Sequence, residues 1–235
     1  MYKYNNFDHN KYAKQRGPKD FWGQIRRTVN GKSVSKKNIN LIVSEITAKL
    51  KLSKNDILLD LGCGNGALTY LLRKKVKKIS AVDFSTFLIN VARKNFRSKN
   101  IKYYNHEIYE FLKKKDIFLH NKVLIYGVFS YLSNFKAKKI IKIFDTKFIN
   151  LEKVFIGNLP DIEEKKKFFI HKMPSKNSLK NHRTSIGIWR SKREMLNINE
   201  SSKLKFKITT MKKEFYGSKY RYDLTISKKN EKKYF

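Results

Sequence analysis

Cysteine is almost absent. Cys63 is the single one in 235 residues, which excludes an internal disulfide and a cysteine-rich zinc site, so no metal centre is expected. Long apolar runs are missing too. None approaches the roughly 20 residues that cross a bilayer, and the opening MYKYNNFDHNKY is polar. Neither membrane insertion nor a signal peptide is therefore expected, and a reducing cytoplasm is the expected compartment. Acidic residues are scarce: 19 Asp and Glu stand against 54 Lys and Arg, a formal net charge of +35. Such an excess suits a polyanion partner such as RNA. Arginine, however, is also in short supply, with 10 against 44 lysines. Forked recognition of phosphates and base edges favours arginine, and the lysines are scattered, in short runs such as Lys113–Lys115 and Lys165–Lys167. Lysine, asparagine and isoleucine are all encoded by A/T-rich codons. The bias is read first as compositional, and RNA is kept as the second reading.

What is present is enough to fold. Hydrophobic residues make up 40% of the chain, and its length suits one domain with a sizeable core. Residues 1–34 are aromatic and polar, broken at Gly17-Pro18 and Asn30-Gly31, and read as an irregular or partly helical lead-in. Ser35 can cap a helix running to about Leu50, with Ile39, Ile42, Val43, Ile46 and Leu50 on one face. Strand-like runs at 57–59, 79–82, 101–104, 123–126 and 154–157 alternate with helical segments capped by Ser85 and Ser133. That alternation predicts an α/β fold, a doubly wound and mostly parallel sheet with helices on both faces. The end of the chain breaks the rhythm. Runs at 204–211 and 220–227 are joined too closely for a crossover helix, so they form an antiparallel pair. Residues 159–203 are the least regular stretch, and the basic tail 228–235 reads as disordered.

The first of these strands runs into Ile57–Thr69, ILLDLGCGNGALT. A carboxylate, Asp60, is followed by three glycines within five residues and then a helical pattern. Glycines let a ligand approach the backbone, and a helix N-terminus presents free N–H groups. Gly62-x-Gly64-x-x-Ala67 also fits the bare dinucleotide fingerprint. Asp60 argues against it, because a pyrophosphate would sit beside a like charge. A cationic adenosine compound such as S-adenosylmethionine, with an ammonium, a sulfonium and no phosphate, meets no such conflict. About 20 residues on, Asp83 ends the second strand, where a ribose diol can bond a carboxylate, and Phe84 beside it can pack on adenine.

DLGCGNG (Asp60–Gly66) followed by AVDFS (Ala81–Ser85) resembles the class I, Rossmann-like, S-adenosylmethionine-dependent methyltransferases, over about residues 35–227. The resemblance implies a seven-stranded sheet with its last strand antiparallel. It also implies that Asp60, Gly62, Cys63, Gly64, Asn65 and Gly66 line the methionine end, that Asp83 and Phe84 hold the nucleoside, and that His106, Glu107 and Tyr126 complete the cofactor site. Asn105-His106-Glu107 stands where the family usually offers an Asp near the adenine amino group; a surface turn is the alternative there. The lead-in DFWGQIRRTVNGKSVS is similar to bacterial methyltransferases of small-molecule and surface-glycan biosynthesis.

Methyl transfer from a sulfonium is an in-line displacement, so positioning contributes most, with a base where the acceptor must lose a proton. Tyr131, Asn158, Asp161, His171 and His182 are the candidates above the strand ends, with His182, Tyr131 and Asp161 carried forward as catalytic. A solvated loop histidine is the competing reading of His182. Tyr12, Arg16, Trp22 and Arg26 can form a lid that excludes water; packing on the sheet edge is the alternative for Trp22. Asn158-Leu159-Pro160-Asp161 lacks the second proline and aromatic of base-amino methyltransferase loops and follows the wrong strand. Cys63 has no second cysteine to work with. The expected function is methyl transfer to a small molecule or sugar-like glycan precursor. RNA methylation is the second reading, and a non-catalytic cofactor-binding protein is the third.

Overall fold

The computed structural model describes residues 7–114, 118–198 and 203–228. The lead-in folds into α1 (His9–Lys14), α2 (Phe21–Gln24) and a two-stranded hairpin, β1 (Thr28–Val29) and β2 (Lys32–Ser33). Asn30 and Gly31 turn that hairpin, both at positive φ, 49° and 78°, the geometry an Asn-Gly pair supplies to a tight primed turn.

The domain proper then alternates as its sequence requires. Helix α3 (Lys36–Leu50) is followed by β3 (Ile57–Leu61), α4 (Ala67–Leu72) by β4 (Lys78–Asp83), and α5 (Thr86–Asn95) by β5 (Ile101–Asn105). The short α6 (Ile108–Phe111) precedes β6 (Lys122–Tyr126), and α7 (Asn134–Thr146) precedes β7 (Lys153–Pro160). Three serines start the longest helices. The hydroxyls of Ser35, Ser85 and Ser133 accept the N–H groups of Asn38 (3.3 Å), Leu88 (3.1 Å) and Lys136 (3.3 Å), each filling an orphan donor of a first turn.

The sheet order is β5-β4-β3-β6-β7, continued by β9 (Arg221–Lys228) and β8 (Leu204–Thr210). The first five strands are parallel; β9 runs antiparallel to both β7 and β8. The seven-stranded sheet with a reversed last strand is thus the expected one. Successive side chains enter opposite cores. Leu59, Leu61, Val123 and Ile125 face the layer holding Ile141 and Phe144 of α7. Leu58, Leu124 and Phe155 face Ile42 and Ile46 of α3. Helices on both sides explain why these strands read as unbroken apolar runs rather than alternating ones.

Beyond β7, residues 161–198 are irregular, with α8 (Lys176–Leu179) and α9 (Lys192–Asn197) as short pieces. They are nonetheless anchored. The Arg190 guanidinium is buried and donates to the carbonyl of Leu132 (2.8 Å) and to the Asn134 side chain (2.9 Å). Gly187, at φ 65°, lies so close to Ser130 that a Cβ would meet its carbonyl oxygen at 2.7 Å. Phe169, Leu179, Ile186 and Trp189 form a small core of their own. Of the expected basic tail, Lys228 closes β9 and residues 229–235 lie outside the described ones. Among the described residues no helix is long and apolar enough to cross a membrane.

Candidate active site

Above the C-terminal ends of the parallel strands, where α/β sheets hold their ligands, lies a cavity of about 940 Å³. Its floor is the turn between β3 and α4. Gly62, Gly64 and Gly66 have φ of 84°, 58° and 78°, a region that β-carbons disfavour. All three are also sterically required, Gly66 by Ala92 at 2.9 Å. A Cβ on Gly62 would lie 2.5 Å from Val128, and one on Gly64 would lie 2.7 Å from Ile25 of the lead-in. The N–H groups of Gly62 and Cys63 both donate to the Val82 carbonyl (2.7 and 3.0 Å), binding the turn to the end of β4.

Asp60 and Asp83 both line this cavity and both are buried. Asp83 accepts the N–H of Gly64 (2.9 Å) and of Ser85 (2.9 Å), so it clamps the glycine turn as well as facing the ligand space. Burial holds its carboxyl above the ordinary range, against those hydrogen bonds. Burial likewise pushes Asp60 up to about 7; the neighbouring Asp83 adds to this, while the Thr69 hydroxyl, donating at 2.6 Å, and the Arg27 guanidinium oppose it. Two desolvated carboxylates side by side call for a cation and hydroxyl donors, not a phosphate. These residues fit S-adenosylmethionine, whose ammonium and ribose diol supply both.

The other predicted cofactor residues divide. Gly62, Cys63, Gly64, Phe84 and Tyr126 line the cavity. Cys63 is buried, and burial pushes its thiol far up, leaving it neutral. Asn65 does not line it; its amide donates to the Phe21 carbonyl (2.8 Å) and to Gln24 (2.9 Å), stitching α2 onto the turn. Gly66 is turned toward Tyr103 and Ala92. His106 contacts Lys114 at 2.8 Å on the surface, and Glu107 caps α6 through the N–H groups of Tyr109 and Glu110 while pairing with Lys136 at 3.0 Å. Neither lines the cavity, in keeping with the surface-turn alternative.

The acceptor candidates divide as well. Tyr131 and Asn158 line the cavity. Asp161 is buried and pairs with Lys192 at 3.2 Å, and His182 stands half-buried among Arg183, Lys136 and Arg190; neither reaches the cavity, nor does His171. From the lead-in, Tyr12 and Arg26 line it. Arg16 instead pairs with Asp20 (2.9 Å), and Trp22 packs on the core beneath.

Among the residues that sequence reasoning missed and the chain folds into this space, three stand out. Arg27 is buried, donates to the Tyr126 carbonyl (2.9 Å) and stands 4.7 Å from that ring's centroid. His9 meets Tyr131 edge-on at 4.5 Å; burial, and then the Arg26 charge, lower it to about 4, so it is a neutral imidazole at pH 7. Trp189 lines the far wall. The lead-in also closes across the mouth: Phe7 N–H donates to the Arg183 carbonyl (2.7 Å), and Arg26 donates to the carbonyl of Ser185 and to the Tyr131 hydroxyl (3.3 Å). Among these signals, the adjacent Arg26-Arg27 in an arginine-poor chain was the one available beforehand.

The family model described as "Methyltransferase domain" matches residues 52–217. The chain belongs to that family of methyltransferase domains. A probable cobalt-precorrin-6B C(15)-methyltransferase (decarboxylating) of Methanococcus vannielii is 37% identical over 95 residues, 40% of this chain and 49% of that one. A ribosomal RNA small subunit methyltransferase A of Fusobacterium nucleatum is 42% identical over 62 residues, 26% of this chain and 24% of that one. The matched part thus spans half or less of these relatives. In structure, magnesium protoporphyrin IX methyltransferase of Synechocystis PCC 6803 with bound S-adenosylhomocysteine superposes with a TM-score of 0.62 at 12% identity, covering 95% of this chain and 94% of that one, which extends the shared fold to nearly the whole chain.

Proposed function

We propose that this enzyme methylates a small biosynthetic precursor rather than RNA. The observation that carries the reading is the lead-in strapped across the cavity mouth. Residues 7–31 cross its mouth and bond to the 183–185 segment and to Tyr131, and the volume lies in the range of small-molecule sites. Four cations are among its described lining residues, Lys11, Arg26, Arg27 and Arg221, few beside the continuous basic groove that tracks a nucleic-acid backbone. The M. vannielii relative is named for a small-molecule precursor, in line with this reading; the rRNA-methyltransferase relative supplies the competing one.

In this reading Asp60 holds the cofactor ammonium, Asp83 the ribose diol, Phe84 the adenine face, and Arg27 the amino-acid carboxylate. The cofactor supplies an activated methyl group. The protein aligns the acceptor, excludes water with residues 7–31, and offers the neutral His9 and the Tyr131 hydroxyl as groups that accept or relay a proton. Incubation with methyl-labelled S-adenosylmethionine, separately with the small-metabolite pool and with total RNA of a bacterial extract, tests it. Label is expected in the metabolite pool; label confined to RNA overturns the reading.

A further inference from the structure

Of the 10 arginines, three line the cavity, Arg26, Arg27 and Arg221; among the described lysines, one does, Lys11. A chain that uses lysine nearly everywhere else keeps arginine here, the residue whose planar fork suits carboxylate and phosphate. Among the described residues none of the three has a carboxylate at ion-pair distance, although Arg16, Lys122, Lys136 and Lys192 all do. Arg27 is accounted for by the cofactor end, over Tyr126 and beside Asp60. Arg26, over the Phe7 and Tyr12 rings (4.7 and 5.5 Å), and Arg221 lie away from that end, their charges unmatched by an acid.

Both are fixed in place on the acceptor side. Arg26 sits in the left-handed region (φ 57°) and is held by Ser185 and Tyr131. Arg221 donates one terminal N–H to the Asn158 carbonyl (2.9 Å), while its Nε is buried with no partner. An aromatic cluster lines the same cavity beside Arg221. Trp189 stacks on Tyr220 (6.2 Å, 23°), Phe168 lies 5.4 Å from Trp189 and 4.8 Å from Tyr220, and Arg221 stands 5.3 Å from the Tyr220 centroid. The indole N–H of Trp189 is also buried without a partner. The two buried donors left open beside this apolar cluster, Arg221 Nε and the Trp189 indole N–H, are expensive unless a ligand completes them.

We propose that the methyl acceptor is a flat ring compound bearing a carboxylate or phosphate, its ring seated on Phe168, Trp189 and Tyr220 and its anionic group taken by Arg26 and Arg221. The inference rests on the small-acceptor methyltransferase reading of the same cavity.

Protein saturated with S-adenosylhomocysteine is titrated with benzoate, phenyl phosphate and the neutral isostere benzamide, followed by ligand-observed NMR. At least one anion is expected to bind about tenfold more tightly than benzamide, the weight of one charge-assisted fork; whichever anion leads identifies the group. In R26Q and R221Q, singly and together, that preference is expected to shrink toward parity while S-adenosylhomocysteine still binds, which shows the variants folded. R221K retains part of it. Equal binding of all three probes, binding of none, or a preference undiminished in every variant overturns the proposal. Wild-type protein that fails to bind S-adenosylhomocysteine strikes instead at the methyltransferase reading, so the two failures are told apart.

Discussion

Asp83 does two jobs with one carboxylate, and its removal should show both. It accepts two backbone N–H groups, from Gly64 and Ser85, and charge-assisted bonds of this kind contribute about 1.5–3 kcal/mol each. Asp83→Ala is expected to weaken S-adenosylhomocysteine binding by about 100-fold or more by calorimetry, and unchanged affinity removes the assignment. Asp60 adds a pH signature. Its carboxyl is raised to about 7 by burial, so the ligand-free folded protein binds a proton there that the unfolded chain releases near its ordinary value. That contribution favours folding at low pH and is lost as pH rises through 7. The ligand's ammonium needs the ionised form. S-adenosylhomocysteine affinity is therefore expected to fall by up to about tenfold per pH unit below 7, and Asp60→Asn to be flat over pH 5.5–7.5; a sloping Asn variant disproves the assignment to Asp60. Both carboxylates and the glycines between them were legible in the sequence, because strand, turn and helix N-terminus are contiguous. His9 and Trp189 were not, and Arg27 showed only as half of an arginine pair. They reach the site by tertiary convergence, from segments with no local motif.

At the level of elements, strand β7 holds the least expected feature. Its pairing with β9 runs in register from Val154 to Ile156, slips, and resumes at Leu159 opposite Tyr222. In the slip Asn158 adopts φ 67°, its N–H donating to the buried Asp223 (2.8 Å) and its carbonyl accepting from Arg221 (2.9 Å). A bulge of this kind re-aims a side chain, and here it presents Asn158 to the cavity. Asn158→Ala is expected to cost about 1 kcal/mol for left-handed backbone without asparagine's local bonds, a drop of about 2–4 °C in Tm for a domain of this size. Asn158→Gly relieves the strain and keeps Tm near that of the wild type, yet turnover falls with it if the side chain meets the acceptor. Wild-type turnover in the Gly variant limits the bulge to a structural role. The sequence foretold the strands on either side of this slip, since buried parallel strands and serine caps are local signals. It did not foretell the bulge, which depends on how β9 pairs. The β1–β2 hairpin, by contrast, carried a readable Asn-Gly turn that periodicity in so short a segment could not support.

For the molecule as a whole, the +35 charge should act as a field rather than as a site. Lysines lie on helices of both sheet faces, Lys36 and Lys37 on α3 and Lys139 and Lys142 on α7, and on the edge strand, Lys205 on β8. Acids are too few to pair them, and several are already engaged, Glu152 on the buried Lys122 and Glu45 on Lys212. Self-repulsion of this kind is relieved by screening, with the Debye length falling from about 30 Å at 0.01 M salt to about 8 Å at 0.15 M. Tm is therefore expected to rise by several degrees between those salt concentrations. Polyanions should associate at low salt through counterion release, with heparin and unrelated RNAs alike in affinity and in salt slope. A specific RNA substrate would break that equivalence, holding its affinity at 0.3 M salt where heparin lets go. Measured side by side with S-adenosylhomocysteine bound, parity between heparin and RNA assigns the charge to composition and leaves the cavity as the seat of specificity; one RNA that persists transfers specificity to the surface and reverses the choice of acceptor.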